Sequence, residues 1–113
     1  MRFKDRIVFI TGGASGIGLS CAKEFLKEGA YVIINSRSKN KYKLLSSSLK
    51  KTSNSYEFIN GDMSKEGDVK RIFKHIKNKF KKIDIVINSA GISQNRKHNE
   101  ISIKDWYLTI DNN

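Results

Sequence analysis

The stretch from Val8 to Phe25, VFITGGASGIGLSCAKEF, constrains the fold more than any other part of the sequence. A β-branched apolar run leads into glycines, and the glycines lead into apolar residues at helical spacing, as in a strand, turn and helix of a βαβ unit. Gly12, Gly16 and Gly18 permit a tight turn, a close approach of the backbone to a phosphate group, and close packing of helix on strand. The start of the helix adds unpaired amides and a positive dipole end. The pattern therefore favours a phosphate-binding turn over a glycine turn without a ligand.

Short apolar runs and helical stretches alternate along the rest of the chain. The sequence predicts strands over Ile7–Thr11, Tyr31–Asn35, Tyr56–Asn60 and Ile83–Asn88, and helices over about Ser15–Glu28, Lys39–Lys51 and Lys65–Phe80. With right-handed crossovers, the four strands would lie in the order 3-2-1-4, giving an α/β, doubly wound parallel sheet with the fourth strand at one edge. Ser38 and Ser64 are predicted to cap the second and third helices, and Gly29 to end the first in a left-handed conformation. A last helix is predicted to begin after Ser102.

Length and charge limit the possible classes of protein. A chain of 113 residues fits one domain, and 38% apolar with 29% charged residues fits a globular chain. The net charge is +11, but the lysines of the third helix alternate with Val69, Ile72 and Ile76 at helical spacing, which indicates a solvated face. No aromatic RNA-binding signature accompanies the charge, so no specific nucleic-acid partner is predicted, and nonspecific polyanion binding at low salt stays open. The apolar runs are too short to span a membrane.

The side chains with reactive groups have structural interpretations. Cys21 falls on the apolar face of the first helix, where a core thiol is expected. A single cysteine also favours a reducing compartment, so we expect a cytoplasmic location. His75 and His98 have no cysteine or carboxylate partners at metal-ligand spacing, and no metal site is predicted. Asp84 is expected to be a turn residue.

Three motifs resemble those of one family, the short-chain dehydrogenases/reductases. TGGASGIG matches the nucleotide-binding motif Thr-Gly-x-x-x-Gly-x-Gly, GDMS resembles the family's aspartate-containing turn beside the adenine, and NSAGI resembles its Asn-Asn-Ala-Gly motif with Ser89 at the second position. The resemblance runs along the whole chain and implies a Rossmann-type fold. It implies a cofactor site made of Thr11, Gly12, Ser15, Gly16, Ile17, Gly18, Ser36, Arg37, Asp62, Met63, Asn88, Ala90 and Gly91.

The end of the second strand bears on the choice of cofactor. Ser36 stands where relatives that prefer NAD carry an aspartate, and Arg37 follows it. A carboxylate would bind both ribose hydroxyls and repel a 2′-phosphate, whereas a guanidinium would attract that phosphate. We therefore expect NADP(H) to be preferred over NAD(H), with a solvated loop cation at Arg37 as the alternative.

The resemblance also bears on catalysis. It implies hydride transfer to a small-molecule carbonyl or from an alcohol, with a Tyr-x-x-x-Lys pair, a serine and an asparagine as the catalytic residues. The asparagine follows a tryptophan by seven positions, which assigns Asn113 by its distance from Trp106, or Asn112 if the register slips. The other three have no counterpart in these 113 residues.

Two interpretations of the chain follow from that absence. In the first, residues 1–113 form the N-terminal portion of a single-domain oxidoreductase, cut at the fourth-strand edge of the sheet and inactive alone. For the complete enzyme the resemblance implies a homo-oligomer. In the second, the chain is a non-catalytic nucleotide- or polyanion-binding module that ends naturally at residue 113.

Overall fold

Parallel strands form the centre of the structure, a computed structural model that describes residues 2–12, 16–40 and 42–88. The strands are β1 (Ile7–Thr11), β2 (Tyr31–Ser36), β3 (Tyr56–Asn60) and β4 (Ile85–Asn88), and the helices are α1 (Gly16–Lys27), α2 (Tyr42–Lys50) and α3 (Glu66–Phe80). The four strands lie in the order β3-β2-β1-β4, with every pair parallel. The predicted order 3-2-1-4 and the doubly wound α/β class are thereby confirmed.

Each face of the sheet is covered by its own helices. On one face, Val8 and Ile10 of β1 lie in a buried cluster with residues of α1 and α2. On the other face, Phe9 packs in a second cluster with Ile72 and Ile76 of α3. All five residues of β1 are buried, because this strand has neighbours on both sides and helices above and below it.

The strand β4 begins two residues later than the sequence predicts, at Ile85 instead of Ile83. The carboxylate of Asp84 explains the difference. Its Oδ2 accepts a hydrogen bond from the backbone N–H of Ile7 at 2.7 Å, so a side chain replaces the backbone acceptor at the start of the ladder. Asp84 thus makes a structural hydrogen bond at the residue immediately before β4, where the sequence predicted a turn residue.

The ends of the helices differ in part from the predictions. Ser64 does not cap α3, because the N-cap residue is Lys65, one position later, and the Ser64 hydroxyl donates to Oδ1 of Asp62 at 2.6 Å. The hydroxyl of Ser38 accepts from the amide of Asn40, which holds a turn ahead of the later helix start at Tyr42. Gly29 has the expected left-handed conformation, with φ of 90°.

Replacing Asp84 with asparagine should destabilise the fold and alter its acid response. Desolvation raises the pKa of Asp84, but hydrogen bonds from Ile7 and Lys82, with the nearby Arg6, outweigh it and leave the pKa below its ordinary value. The stabilising contribution of the carboxylate is therefore complete above the unfolded-state pKa of about 3.9 and is lost as the pH falls toward the folded-state pKa. Urea unfolding should show Asp84→Asn about 1 kcal/mol less stable at neutral pH. Its stability should fall less steeply than that of the wild type between about pH 5 and pH 2.

A matched control is Asp5→Asn, at an exposed turn with φ of 65°. Asparagine tolerates this left-handed conformation, and the side chain of Asp5 makes no hydrogen bond within the described residues. Its unfolding should match that of the wild type at every pH. Equal acid sensitivity of Asp84→Asn and the wild type would contradict the assignment.

Candidate functional site

The carboxyl ends of all four strands lie at one edge of the sheet. Thr11, Ser36, Asn60 and Asn88 are the last residues of β1, β2, β3 and β4. After β1 the chain passes to a helix on one face, whereas β4 is reached from α3 on the opposite face. In open α/β sheets this switch point forms a crevice in which ligands bind.

The glycine turn follows β1 at this end of the sheet, and the structure describes the backbone of two of its glycines. Gly12 and Gly16 have φ of 64° and 57°, which favours glycine at both positions. A Cβ built on Gly16 meets no heavy atom within 4 Å, so the space in front of α1 is open and packing does not exclude a side chain there. Gly18 is buried in α1. The first turn of α1 contains no acidic residue that would repel a phosphate. These features fit a dinucleotide pyrophosphate.

Thr11 and Asn88, two residues predicted for the cofactor site, contact each other. They are register partners in the β1–β4 pair, and the Thr11 hydroxyl donates to Oδ1 of Asn88 at 2.8 Å. Thr11 is only 1% exposed. The structure therefore gives both side chains a part in joining the carboxyl ends of the two strands beneath the crevice.

The loop after β2 presents a cation to the same edge. Arg37 is exposed, and its guanidinium makes no hydrogen bond or salt bridge within the described residues. Ser36, by contrast, is buried, and its hydroxyl accepts from the amide of Ser38 at 3.2 Å. The loop therefore presents a positive charge at Arg37, and the neighbouring position 36 holds a serine instead of a carboxylate.

Two residues outside the predicted cofactor site hold this loop. The amide nitrogen of Asn60 donates to the carbonyl oxygens of Ser36 and Arg37, at 3.2 and 2.8 Å. The hydroxyl of Tyr42 donates to the same Ser36 oxygen at 3.2 Å. Burial raises the pKa of Tyr42, so the hydroxyl keeps its proton and can donate. Asn60 could have been selected from the sequence as a polar residue at the end of a predicted strand. Nothing in the sequence around Tyr42 indicated its contact with the loop.

The turn after β3 places a carboxylate near the loop. Oδ1 of Asp62 accepts from the amide and the hydroxyl of Ser64, at 2.9 and 2.6 Å. These bonds, with the charges of Arg37 and Lys65, lower the pKa of Asp62, which is therefore ionised at neutral pH. The side chain of Met63 instead packs against the buried cluster beneath α3.

Several predicted positions are not covered by the structure. Ser15, Ala90, Gly91 and Asn113, with its alternative Asn112, lie outside the described residues, as does the helix predicted after Ser102. Ile17 belongs to α1, but its side chain is likewise outside them.

Other polar groups have structural partners. Cys21 is half-buried against the core, and burial raises the pKa of its thiol. Nε2 of His75 lies 3.1 Å from Oε2 of Glu57, and Nζ of Lys79 lies 2.7 Å from Oε1 of the same carboxylate. Across residues 2–12, 16–40 and 42–88, no three metal-ligating side chains are grouped to hold an ion. The helices of those segments are also too short or too polar to cross a membrane.

Comparison with known proteins assigns the family. The family model for short chain dehydrogenases matches residues 6–113, which is almost the whole chain. The chain therefore belongs to the short-chain dehydrogenase family.

Individual relatives agree with this assignment. The chain is 33% identical over 113 residues to a 3β-hydroxysteroid dehydrogenase of Mediterraneibacter gnavus, a match that covers 99% of this chain and 41% of that protein. L-Sorbose reductase of Gluconobacter frateurii, solved with NADPH and L-sorbose, superposes with a TM-score of 0.73 at 29% identity, over 80% of this chain and 36% of that one. A 3-ketoacyl-(acyl-carrier-protein) reductase of Brucella melitensis, solved with NADH, gives 0.65 at 32% identity, over 74% and 33%. The chain spans less than half the length of the relatives it matches.

Proposed function

We propose that this chain is the NADP(H)-binding portion of an oxidoreductase that acts on a small-molecule carbonyl or alcohol. The observation that carries the proposal is the exposed guanidinium of Arg37, which has no hydrogen-bonding partner among the described residues and stands beside Ser36 instead of a carboxylate. Solved relatives hold NADPH in one case and NADH in another, so the choice must come from residues of this chain. A cation at this position favours the cofactor with a 2′-phosphate.

Each part of the crevice has a role in this proposal. The backbone at Gly12, Ser15 and Gly16, with the amino end of α1, binds the pyrophosphate. Arg37 binds the 2′-phosphate, and Asp62 with the backbone of Met63 borders the adenine. Thr11 and Asn88 fix the strand ends, and Ala90 and Gly91 continue the site toward the nicotinamide. The bound nicotinamide supplies or accepts the hydride.

The chemistry requires a proton donor or acceptor beside the reacting oxygen. Within the proposal Asn113 belongs to this catalytic group, and the family's serine and Tyr-x-x-x-Lys pair would have to come from other residues, since the 113 residues contain no such pair. We therefore propose that residues 1–113 bind the cofactor and do not oxidise NADPH alone. NADPH oxidation in proportion to the amount of this chain would overturn that part. The complete enzyme is proposed to be a cytoplasmic homo-oligomer.

Arg37→Ala tests the choice of cofactor. The dissociation constants of NADPH and NADH are measured by calorimetry for the wild type and the variant. The charge-assisted pair with the phosphate is worth roughly 1.5–3 kcal/mol, so NADPH should bind about tenfold to a hundredfold more weakly, with NADH little changed. Lys77→Ala is the control, because Lys77 is an exposed cation in the last turn of α3, which leads to the start of β4 and not to the carboxyl ends of the strands. Unchanged NADPH binding by Arg37→Ala would contradict the proposal.

A polyanion-binding module is the second candidate, favoured by the net charge of +11. Such binding would weaken steeply with salt and would not distinguish NADPH from other polyanions. Retention of a heparin column at physiological salt, together with no measurable binding of either dinucleotide, would favour this candidate.

A further inference from the structure

Both peptide groups that flank Arg37 are held by side-chain hydrogen bonds. The carbonyl of Ser36 precedes Arg37 and accepts from Nδ2 of Asn60 at 3.2 Å, from the Tyr42 hydroxyl at 3.2 Å and from the amide of Gly61 at 3.1 Å. The carbonyl of Arg37 itself accepts from Nδ2 of Asn60 at 2.8 Å. A single amide group on β3 therefore holds the backbone on both sides of the Arg37 side chain.

The donors are themselves fixed by other elements. The carbonyl oxygen of Asn60 accepts from Nη2 of Arg71 on α3 at 2.8 Å, which ties the end of β3 to that helix. The ring of Tyr42 stacks on Phe58, with centroids 4.5 Å apart and 10° between the planes. Strand β3 and helices α2 and α3 thus combine to fix a loop that belongs to none of them.

We propose that Asn60, assisted by Tyr42, is a positioning residue that sets the preference for NADP(H) over NAD(H). The inference rests on the proposed function, because it acts through Arg37. An exposed arginine binds a phosphate more tightly when its backbone is already ordered, since less conformational freedom is lost on binding. NADH has no 2′-phosphate, so its binding depends less on the order of this loop. Asn60 touches neither phosphate nor reacting atoms in this proposal.

The test uses the 113-residue chain, the Arg37→Ala variant and four further variants. Asn60→Ala removes both donations, and Tyr42→Phe removes the hydroxyl while it keeps the ring that stacks on Phe58. Asn78→Ala is the matched control at an exposed site on α3. Asn35→Ala is a stability control, because the Asn35 amide also links β2 to β3, but it donates to the carbonyls of Ile59 and Gly61 and not to those of Ser36 and Arg37. For each protein, the dissociation constants of NADPH and NADH and the melting temperature are measured.

The selectivity is the ratio of the NADH to the NADPH dissociation constant. It should fall about threefold to tenfold in Asn60→Ala and about twofold in Tyr42→Phe, as part of the arginine–phosphate interaction is lost. Asn78→Ala should change nothing, and Asn35→Ala should lower the melting temperature while the ratio stays constant. Tyr42→Phe reports on the same loop should Asn60→Ala fail to fold.

The outcomes separate the two proposals. A wild-type chain that binds both dinucleotides equally well would overturn the proposed cofactor preference and this inference with it. A wild type that prefers NADPH, with the preference lost in Arg37→Ala but retained in Asn60→Ala and Tyr42→Phe, would overturn this inference alone. An equal fall of the ratio in Asn35→Ala would show that lost stability, and not positioning, is responsible.

Discussion

Replacing Gly16 with valine should weaken the binding of NADPH and NADH alike, by more than about a hundredfold, or ~2.7 kcal/mol. Gly16 has φ of 57°, a conformation in which a β-branched residue is strongly disfavoured. A Cβ on Gly16 meets no heavy atom within 4 Å, so a larger side chain would extend into the open space where the proposed function puts the pyrophosphate. Valine therefore distorts the turn and fills the site. Because both cofactors share the pyrophosphate, their affinities should fall together.

Gly67→Val is the matched control for this experiment. Gly67 lies in the first turn of α3, and a Cβ there also meets no heavy atom within 4 Å. Its φ is not in the left-handed region, so valine is tolerated and glycine's cost in backbone entropy is removed. Binding should be unchanged, and the melting temperature should not fall. An affinity loss confined to NADPH in Gly16→Val would contradict the placement of the pyrophosphate at this turn.

Replacing Phe9 with alanine should lower the free energy of unfolding by ~3–5 kcal/mol. Phe9 is fully buried in the central strand β1, between its register partners Ile33 and Val86. Its ring meets that of Phe73 on α3 edge to face, with centroids 5.5 Å apart. The substitution therefore removes a large apolar side chain and leaves a cavity between the sheet and α3. A loss of this size is a large part of the stability of a domain this small.

Urea unfolding followed by circular dichroism measures the effect. Phe80→Ala provides the comparison, because Phe80 is only partly buried, where it contacts Tyr31. That variant should lose clearly less stability, since solvent reaches the space left by the ring. Equal losses in the two variants would contradict the central place assigned to Phe9.

Much of the fold followed from local patterns. Continuous apolar runs predicted each described strand to within a few residues, since helices cover both faces of the sheet and leave little room for polar side chains along a strand. Helical spacing predicted the helices equally well, since burial of one helix face imposes a period of 3.6 residues. The glycine turn could also be predicted from the sequence, because few residues other than glycine adopt the left-handed conformation found at Gly12 and Gly16. The functional roles of the site residues remain predictions.

Two of the differences from the predictions involve a short polar side chain with an unexpected hydrogen-bonding partner. Asp84 supplies the acceptor for the amide of Ile7, so β4 starts late, and Ser64 donates to Asp62 instead of capping α3. In both cases a short polar side chain had two possible partners, and the sequence around it does not say which one the fold brings within reach.

The sequence by itself determined the order of elements, the glycine turn and the cation at Arg37, because these depend on residues close together in the chain. Only the tertiary structure decided which side chains hold the backbone of Arg37. Asn60 lies 23 positions from Arg37 and reaches its carbonyl because parallel pairing brings β3 beside β2, while Arg71 on the opposite face secures Asn60. Hydrogen bonds between such distant residues depend on register and helix packing, and the local pattern of apolar residues fixes neither of them.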